Sequence, residues 1–164
     1  MIHIRKAELA DLASITEIYN EAILNTTATF DTEIKDSTNR KLWMEERDEN
    51  FPIMVAEKNS IVVGYIALNK WSERKAYNIT AEISMYVRAD YRGQGIGKQL
   101  IATIVSIAKE ATNLNSLIAR ITEGNEQSIY LHKLHGFEMI GVMKQAGIKF
   151  GKLHDVTLMQ KMLR

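Results

Sequence analysis

Arg92-Gly93-Gln94-Gly95-Ile96-Gly97 decides the fold, because of what stands on either side of it. Ahead of it, Ile83-Ser84-Met85-Tyr86-Val87 is short, apolar and rich in strand formers; behind it, Ile96, Leu100, Ile104, Ile107 and Ala111 recur at helical spacing. Strand, glycine loop, helix is an anion-binding arrangement. Three glycines at alternate positions can take positive φ and let the backbone approach a ligand, while the helix start aims free N–H groups and a partial positive charge at it. A phosphate or pyrophosphate fits such a cradle, built from Arg92 through Gly97 and Lys98.

The spacing separates the possible phosphate ligands. A dinucleotide fold carries G-x-G-x-x-G early in a βαβ unit with an acidic residue roughly 20 positions on, and a P-loop ends in Gly-Lys-Ser/Thr. Here Gly97-Lys98 is followed by Gln99, and the loop lies past mid-chain. The pattern Arg92-x-x-Gly95-x-Gly97 resembles instead the acetyl-CoA pyrophosphate loop of the GNAT N-acetyltransferase superfamily.

At 164 residues, 46% hydrophobic and 25% charged, the chain is expected to form one soluble domain spanning residues 1–164, with a core that needs no metal or disulfide staple. A net charge of +1 gives no field for nucleic acid or an anionic membrane. With no cysteine, disulfides, thiolate catalysis and Cys-type zinc sites are excluded. The start Met1-Ile2-His3-Ile4-Arg5-Lys6 has no signal-peptide core, and no apolar run nears the ~20 residues of a membrane span, so a cytoplasmic protein is expected.

Reading outward, Ile2 and Ile4 alternate with His3 and Arg5 as a first strand, and Asp11 caps a helix over Leu12 to Ala22 with an apolar stripe. Asn25 to Phe30 reads as a loop carrying one aromatic. Ser37 caps a second helix that runs to about Asn50 and is ended by Pro52. Ile53 to Glu57 and Ile61 to Leu68 form a hairpin across Lys58-Asn59-Ser60. After the polar loop Trp71 to Tyr77, Thr80 to Val87 is the strand that feeds the glycine loop. Ser116 to Thr122 follows a crossover helix, hence a strand parallel to it. Asn125 caps a short helix stopped by Gly136. Phe137 to Ile140 and Val156 to Met162 close the sheet, with Lys149-Phe150-Gly151 in the loop between them. The order βααβββαβαββ predicts an α+β layered domain: a mixed, mostly antiparallel sheet with one parallel, splayed pair at its centre and helices on its faces.

That order is similar to the GNAT fold over the whole chain, and five blocks narrow the resemblance. Thr26-Thr27-Ala28-Thr29-Phe30, Trp71-x-x-Arg74-x-Ala76-Tyr77, Glu82-x-Ser84-x-Tyr86-Val87, Asn125-x-x-Ser128-x-x-x-His132 and Lys149-Phe150-Gly151 with Asp155 look like the phosphinothricin acetyltransferase-type group, which includes acyltransferases acting on methionine sulfone and sulfoximine. The resemblance implies transfer of an acetyl group from acetyl-CoA, as co-substrate and with no metal, to the primary amine of a small amino-acid-like acceptor. Such chemistry must remove a proton from an ammonium, stabilise an oxyanion and release a thiolate. In the group, the glutamate at the position of Glu82 is the proposed base, directly or through water. His132 stands where many GNAT enzymes place a tyrosine general acid; Tyr130 is the alternative, offset from the face His132 shares with Ser128. Asn125 and Ser128 are expected on the pantetheine and phosphate side. Met85 and Val87, with Tyr86 between them, are expected to meet the pantetheine as a pseudo-strand. Phe30, Arg74 and Lys75 are expected at the acceptor. Relatives are often homodimers, and a homodimer is expected here.

Two positions depart from the group's pattern: Ala89 replaces a common proline, and Ser72 a basic residue after the tryptophan, which leaves a carboxylate clamp to Arg74 and Lys75. The competing readings are a GNAT enzyme for protein N-termini, lysines or aminoglycosides, a non-catalytic acyl-CoA sensor, and a nucleotide-binding module. Arg74 and Lys75 disfavour a polycationic acceptor.

Overall fold

The computed structural model describes residues 1–164. A single seven-stranded sheet runs in the order β1-β2-β3-β4-β5-β7-β6. Its strands are β1 (His3–Lys6), β2 (Ile53–Lys58), β3 (Ile61–Lys70), β4 (Thr80–Val87), β5 (Ser116–Thr122), β6 (Glu138–Lys149) and β7 (Lys152–Met162). The helices are α1 (Leu12–Asn25), α2 (Ser37–Glu45), α3 (Ile96–Ala111) and α4 (Glu126–Leu134). Every neighbouring pair is antiparallel except β4 and β5. This is the mixed α+β sheet expected from the element order.

The β2–β3 hairpin turns at Asn59 and Ser60, both at positive φ (52° and 62°), so its twist matches that of the strands it joins. Alternation along β3 and β4 then sorts side chains to two faces. Ile66, Leu68, Ala81 and Ile83 face α3, whose Leu100, Ile101, Ile104 and Ala108 repeat at three- and four-residue intervals and complete the larger core. Val55, Tyr65 and Ala67 face the other way, against Ile15 and Ile18 of α1. This smaller core covers β2 and β3 and reaches β4 at Tyr86, whose ring meets those of Tyr19 and Tyr65. The rest of β4 and β5 stays open on this face.

Several boundaries differ from the sequence reading. Asp11 precedes α1 but does not cap it with its side chain. Its carboxylate takes both ends of the Arg5 guanidinium at 2.8 and 2.9 Å and the Glu8 amide at 2.8 Å. Hydrogen bonding to Arg5 holds this carboxyl below its ordinary value. Asp36, not Ser37, caps α2, because its side chain reaches the Asn39 amide at 2.7 Å. The same helix ends at Glu45, well before Asn50. Arg47 turns inward there, donating to the carbonyls of Trp43, Phe51 and Leu68 and to the Asn69 side chain.

The largest difference is at the far edge. The segment expected as a loop between Ile140 and Val156 is strand almost throughout, and only Phe150 and Gly151, at φ 51° and 72°, make the turn. Two register shifts, at Met139/Gly141 and Met143/Gly147, break the alternation that would have marked β6 in the sequence.

Candidate active site

The parallel pairing of β4 with β5 is short: Thr80, Ala81 and Glu82 stand opposite Ser116, Leu117 and Ile118, and beyond Glu82 the strands separate. Which backbone groups this frees follows from the other ladder. Arg88 N–H donates to the Val63 carbonyl at 2.8 Å and Trp71 N–H to the Thr80 carbonyl at 3.4 Å, so even-numbered residues of β4 bond to β3. The N–H and C=O groups of Met85 and Val87 therefore point into the gap. One of them has a partner: the Val87 carbonyl accepts from Arg92 Nε at 3.1 Å.

The gap leads to the glycine loop. Gly93 and Gly95 sit at φ +76° and +80°, and a Cβ built on either would meet nothing within 4 Å. Gly95 is the N-cap of α3, so the first turn of the helix opens onto this cradle. Gly97 is different. It packs where a Cβ would stand 3.1 Å from Met85 Cε and 3.3 Å from Leu131 Cδ1, so it brings α3 close to β4 and α4. The donors here fit a pyrophosphate: bare backbone, Lys98 exposed on the first turn, and Lys58, whose Nζ reaches Gln94 Oε1 at 2.8 Å. Lys58 was not anticipated. Arg92 turns instead to Glu21 of α1, at 3.1 Å.

On the α1–α2 side of the gap lies a cleft of about 740 Å³. Its floor is the open part of the sheet, with Glu82, Ser84 and Tyr86 from β4 and Arg120 and Thr122 from β5. Phe30 lines one wall, wedged by its ring against Gly147 of β6, where any Cβ would come within 2.3 Å of it. The loop that carries Phe30 is tied down from both sides, by Thr122 Oγ1 to the Thr27 carbonyl at 2.7 Å and by the buried Lys149 ammonium to the Thr29 carbonyl at 2.8 Å. Burial lowers the Lys149 pKa. Tyr19, Arg40, Trp43 and Tyr65 line the cleft on the α1–α2 side. Burial raises the Tyr65 and Tyr86 phenols well above their ordinary value and pushes Tyr19 up to about 12.

Glu82 reaches the cleft, but not alone. Arg120 forks onto both of its oxygens at 2.5 and 2.6 Å, and lies over the Trp71 ring at 5.4 Å. Hydrogen bonding to Glu82 raises the Arg120 pKa. Each carboxylate oxygen keeps a further lone pair for a proton or a water. The sequence offered one clue to this pair: Arg120 is the lone charge in the apolar run Leu117 to Thr122.

His132 lines the same cleft, 5% exposed, its ring edge-on to Phe137 at 4.9 Å. Its Nδ1 lies 2.7 Å from the Ser128 carbonyl. A carbonyl only accepts, so Nδ1 carries the proton and the neutral ring presents the Nε2 lone pair. Burial lowers the His132 pKa, which keeps the ring neutral near pH 7. Tyr130 is 62% exposed and does not line the cleft. Asn125 caps α4 by accepting from the Ser128 amide at 3.2 Å, and both residues line the cleft beside His132. Arg74 and Lys75 are not brought there. A short helical turn at Lys75–Tyr77 carries them to solvent, and the cations lining the cleft are Lys35, Arg40 and Arg120.

A two-sided site at a splayed parallel pair, entered from a glycine loop, defines a class. Residues 4–158 match the Acetyltransferase (GNAT) domain family, and the chain belongs to that family, whose members use acetyl-CoA as acyl donor. It is 42% identical over 159 residues to the L-methionine sulfoximine/L-methionine sulfone acetyltransferase of Pseudomonas aeruginosa, covering 96% of this chain and 92% of the relative. An acetyltransferase from Salmonella typhimurium, solved with acetyl-CoA, superposes with a TM-score of 0.95 at 36% identity, covering 99% of this chain and 94% of that one. A ribosomal-protein-alanine N-acetyltransferase from Brucella melitensis superposes at 0.93 with 40% identity, covering 98% and 99%. Further relatives are named phosphinothricin N-acetyltransferases. No three or more His, Cys, Asp or Glu side chains cluster as metal ligands, and no helix is long and apolar enough to cross a membrane.

Proposed function

We propose that this enzyme acetylates the primary amine of a small amino-acid-like acceptor, of the methionine sulfone, methionine sulfoximine or phosphinothricin type. The observation that carries this reading is the position of Glu82: it lies at the last paired residue before the gap, on the cleft side of the strand whose backbone is free just beyond it. Acetyl-CoA, when bound, supplies an acyl thioester. The unpaired groups of Met85 and Val87 hold the pantetheine amides, and the cradle from Gly93 to Lys98 holds the pyrophosphate. Glu82 takes the proton from the acceptor ammonium, directly or through one water, and Arg120 fixes its orientation. A neutral His132 has no proton to spare for the leaving thiolate. Its Nε2 serves as an acceptor that orders water or the amine, and the thiolate, the conjugate base of a moderately acidic thiol, leaves without an acid.

A cleft of about 740 Å³ lined by Tyr19, Arg40, Trp43 and Tyr65 suits a small acceptor. The test is kcat/KM for methionine sulfone, methionine sulfoximine, phosphinothricin, ordinary L-amino acids and a peptide with N-terminal alanine. We expect the oxidised-sulfur and phosphorus amino acids to lead by at least about tenfold, a difference of about 1.4 kcal/mol; a peptide that outruns them would replace this reading with a protein acceptor. We place the enzyme in the cytoplasm with its donor. We also propose a homodimer, supported by the exposed apolar side chains of the outer hairpin, among them Ile140, Val142, Ile148 and Leu153.

A further inference from the structure

Arg40 is 5% exposed and has no acidic partner. The carbon of its guanidinium lies over two rings, 3.7 Å from the Trp43 centroid and 4.5 Å from that of Tyr19. It makes one hydrogen bond, a long one of 3.4 Å from Nη2 to the Tyr65 hydroxyl, while Nε is shut off from solvent with no acceptor at all. Of the three Lys and Arg side chains that line the cleft, Lys35 stands 3.8 Å from Asp31 and Arg120 holds Glu82. Only Arg40 lacks an acid. Its positive charge is felt next door: together with burial, it lowers the Arg47 guanidinium to about 10. A buried, unpaired cation destabilises the unliganded protein, and a fold retains one where a ligand supplies the missing charge.

The register indicates which part of a ligand this is. Glu82 lies opposite Asn69, whereas Arg40 meets the sheet at Tyr65, four residues along the same strand and roughly 13 Å away at the usual rise. An acceptor amine brought to Glu82 keeps its α-carboxylate close by, because the two share one carbon. A group at the Tyr65 end must come from the far end of a long side chain. We propose that Arg40 receives the terminal oxygens of the acceptor side chain, an anionic or strongly dipolar tetrahedral group of sulfur or phosphorus, and so sets acceptor specificity. Two oxygens on one tetrahedral centre match the fork formed by the two terminal nitrogens. This rests on the cleft being an amino-acid acetylation site.

The experiment compares wild type with Arg40→Gln and Arg40→Met on three acceptors: L-methionine sulfone, L-methionine, and the α-carboxamide of methionine sulfone. Both variants should lower kcat/KM for the sulfone relative to methionine by roughly 10- to 100-fold, the range set by one lost charge-assisted hydrogen bond, with the same loss on the carboxamide. The acetyl-CoA KM should hold. Equal losses on sulfone and methionine, or a loss that disappears with the carboxamide, would each overturn the assignment. If wild type acetylates none of the three, the acetylation reading fails, and calorimetry with methylphosphinate decides about Arg40: binding to wild type and not to Arg40→Gln sustains the oxyanion site, and no difference removes it.

Discussion

Glu82→Gln should lower kcat/KM by roughly 10²–10⁴-fold, the usual range for loss of a general base, with acetyl-CoA affinity little changed. Glutamine keeps the volume and one acceptor for the Arg120 fork, so the strand and the gap beside it stay in place; what is lost is the ability to take a proton. Arg120→Gln should fall less, since it removes the residue that aims the carboxylate and leaves the carboxylate itself. His132→Ala should also fall less than Glu82→Gln if Nε2 only orders water or the amine. A Glu82→Gln enzyme with near-normal turnover would take Glu82 out of the mechanism.

Gly95→Val should raise the acetyl-CoA KM by about tenfold or more while the protein still folds. At φ +80° a β-branched residue is strained by an amount on the order of 1–3 kcal/mol, and the new methyl groups project into the open cradle at the start of α3. Strain and blockage can be separated. Gly151, at φ +72° with nothing within 4 Å, makes the β6–β7 turn, so Gly151→Val should incur a similar stability loss without touching the donor site. A KM raised equally in both variants, or in neither, would dissociate the glycine loop from the donor.

Much of this arrangement was legible in the sequence for physical reasons. The glycines after an apolar strand, and the three- and four-residue spacing of Ile96, Leu100 and Ile104, encode β4, the cradle and α3 locally. Glu82 and His132 could be placed because each belongs to a short block tied to one element. The long strands β6 and β7 were not legible, since Lys144-Gln145-Ala146-Gly147 interrupts the alternation and Gln145 sits at φ 48°. Their extension matters to the site: Gly147 and Lys149 on β6 are what hold the Phe30 loop. The α1–α2 side of the cleft was hidden for a different reason. Arg40 lies in Ser37-Thr38-Asn39-Arg40-Lys41, which reads as a solvated helix face, and only packing against Tyr19, Trp43 and Tyr65 buries it. Arg74 and Lys75 are expected as the acceptor clamp because their block resembles that of the phosphinothricin-type group and Ser72 replaces its basic residue, while the cations that line the cleft come from two other stretches, Lys35 with Arg40 and Arg120.

On this reading the donor enters at the splay, on backbone that β3 leaves free just beyond the cleft-facing Glu82. Amide hydrogen exchange with and without acetyl-CoA tests that directly. Met85 and Val87, whose N–H groups point into the gap, should be protected on binding, whereas Ser84 and Tyr86, already bonded to β3, should change little. Saturating acetyl-CoA that leaves Met85 and Val87 as exchangeable as before would contradict it.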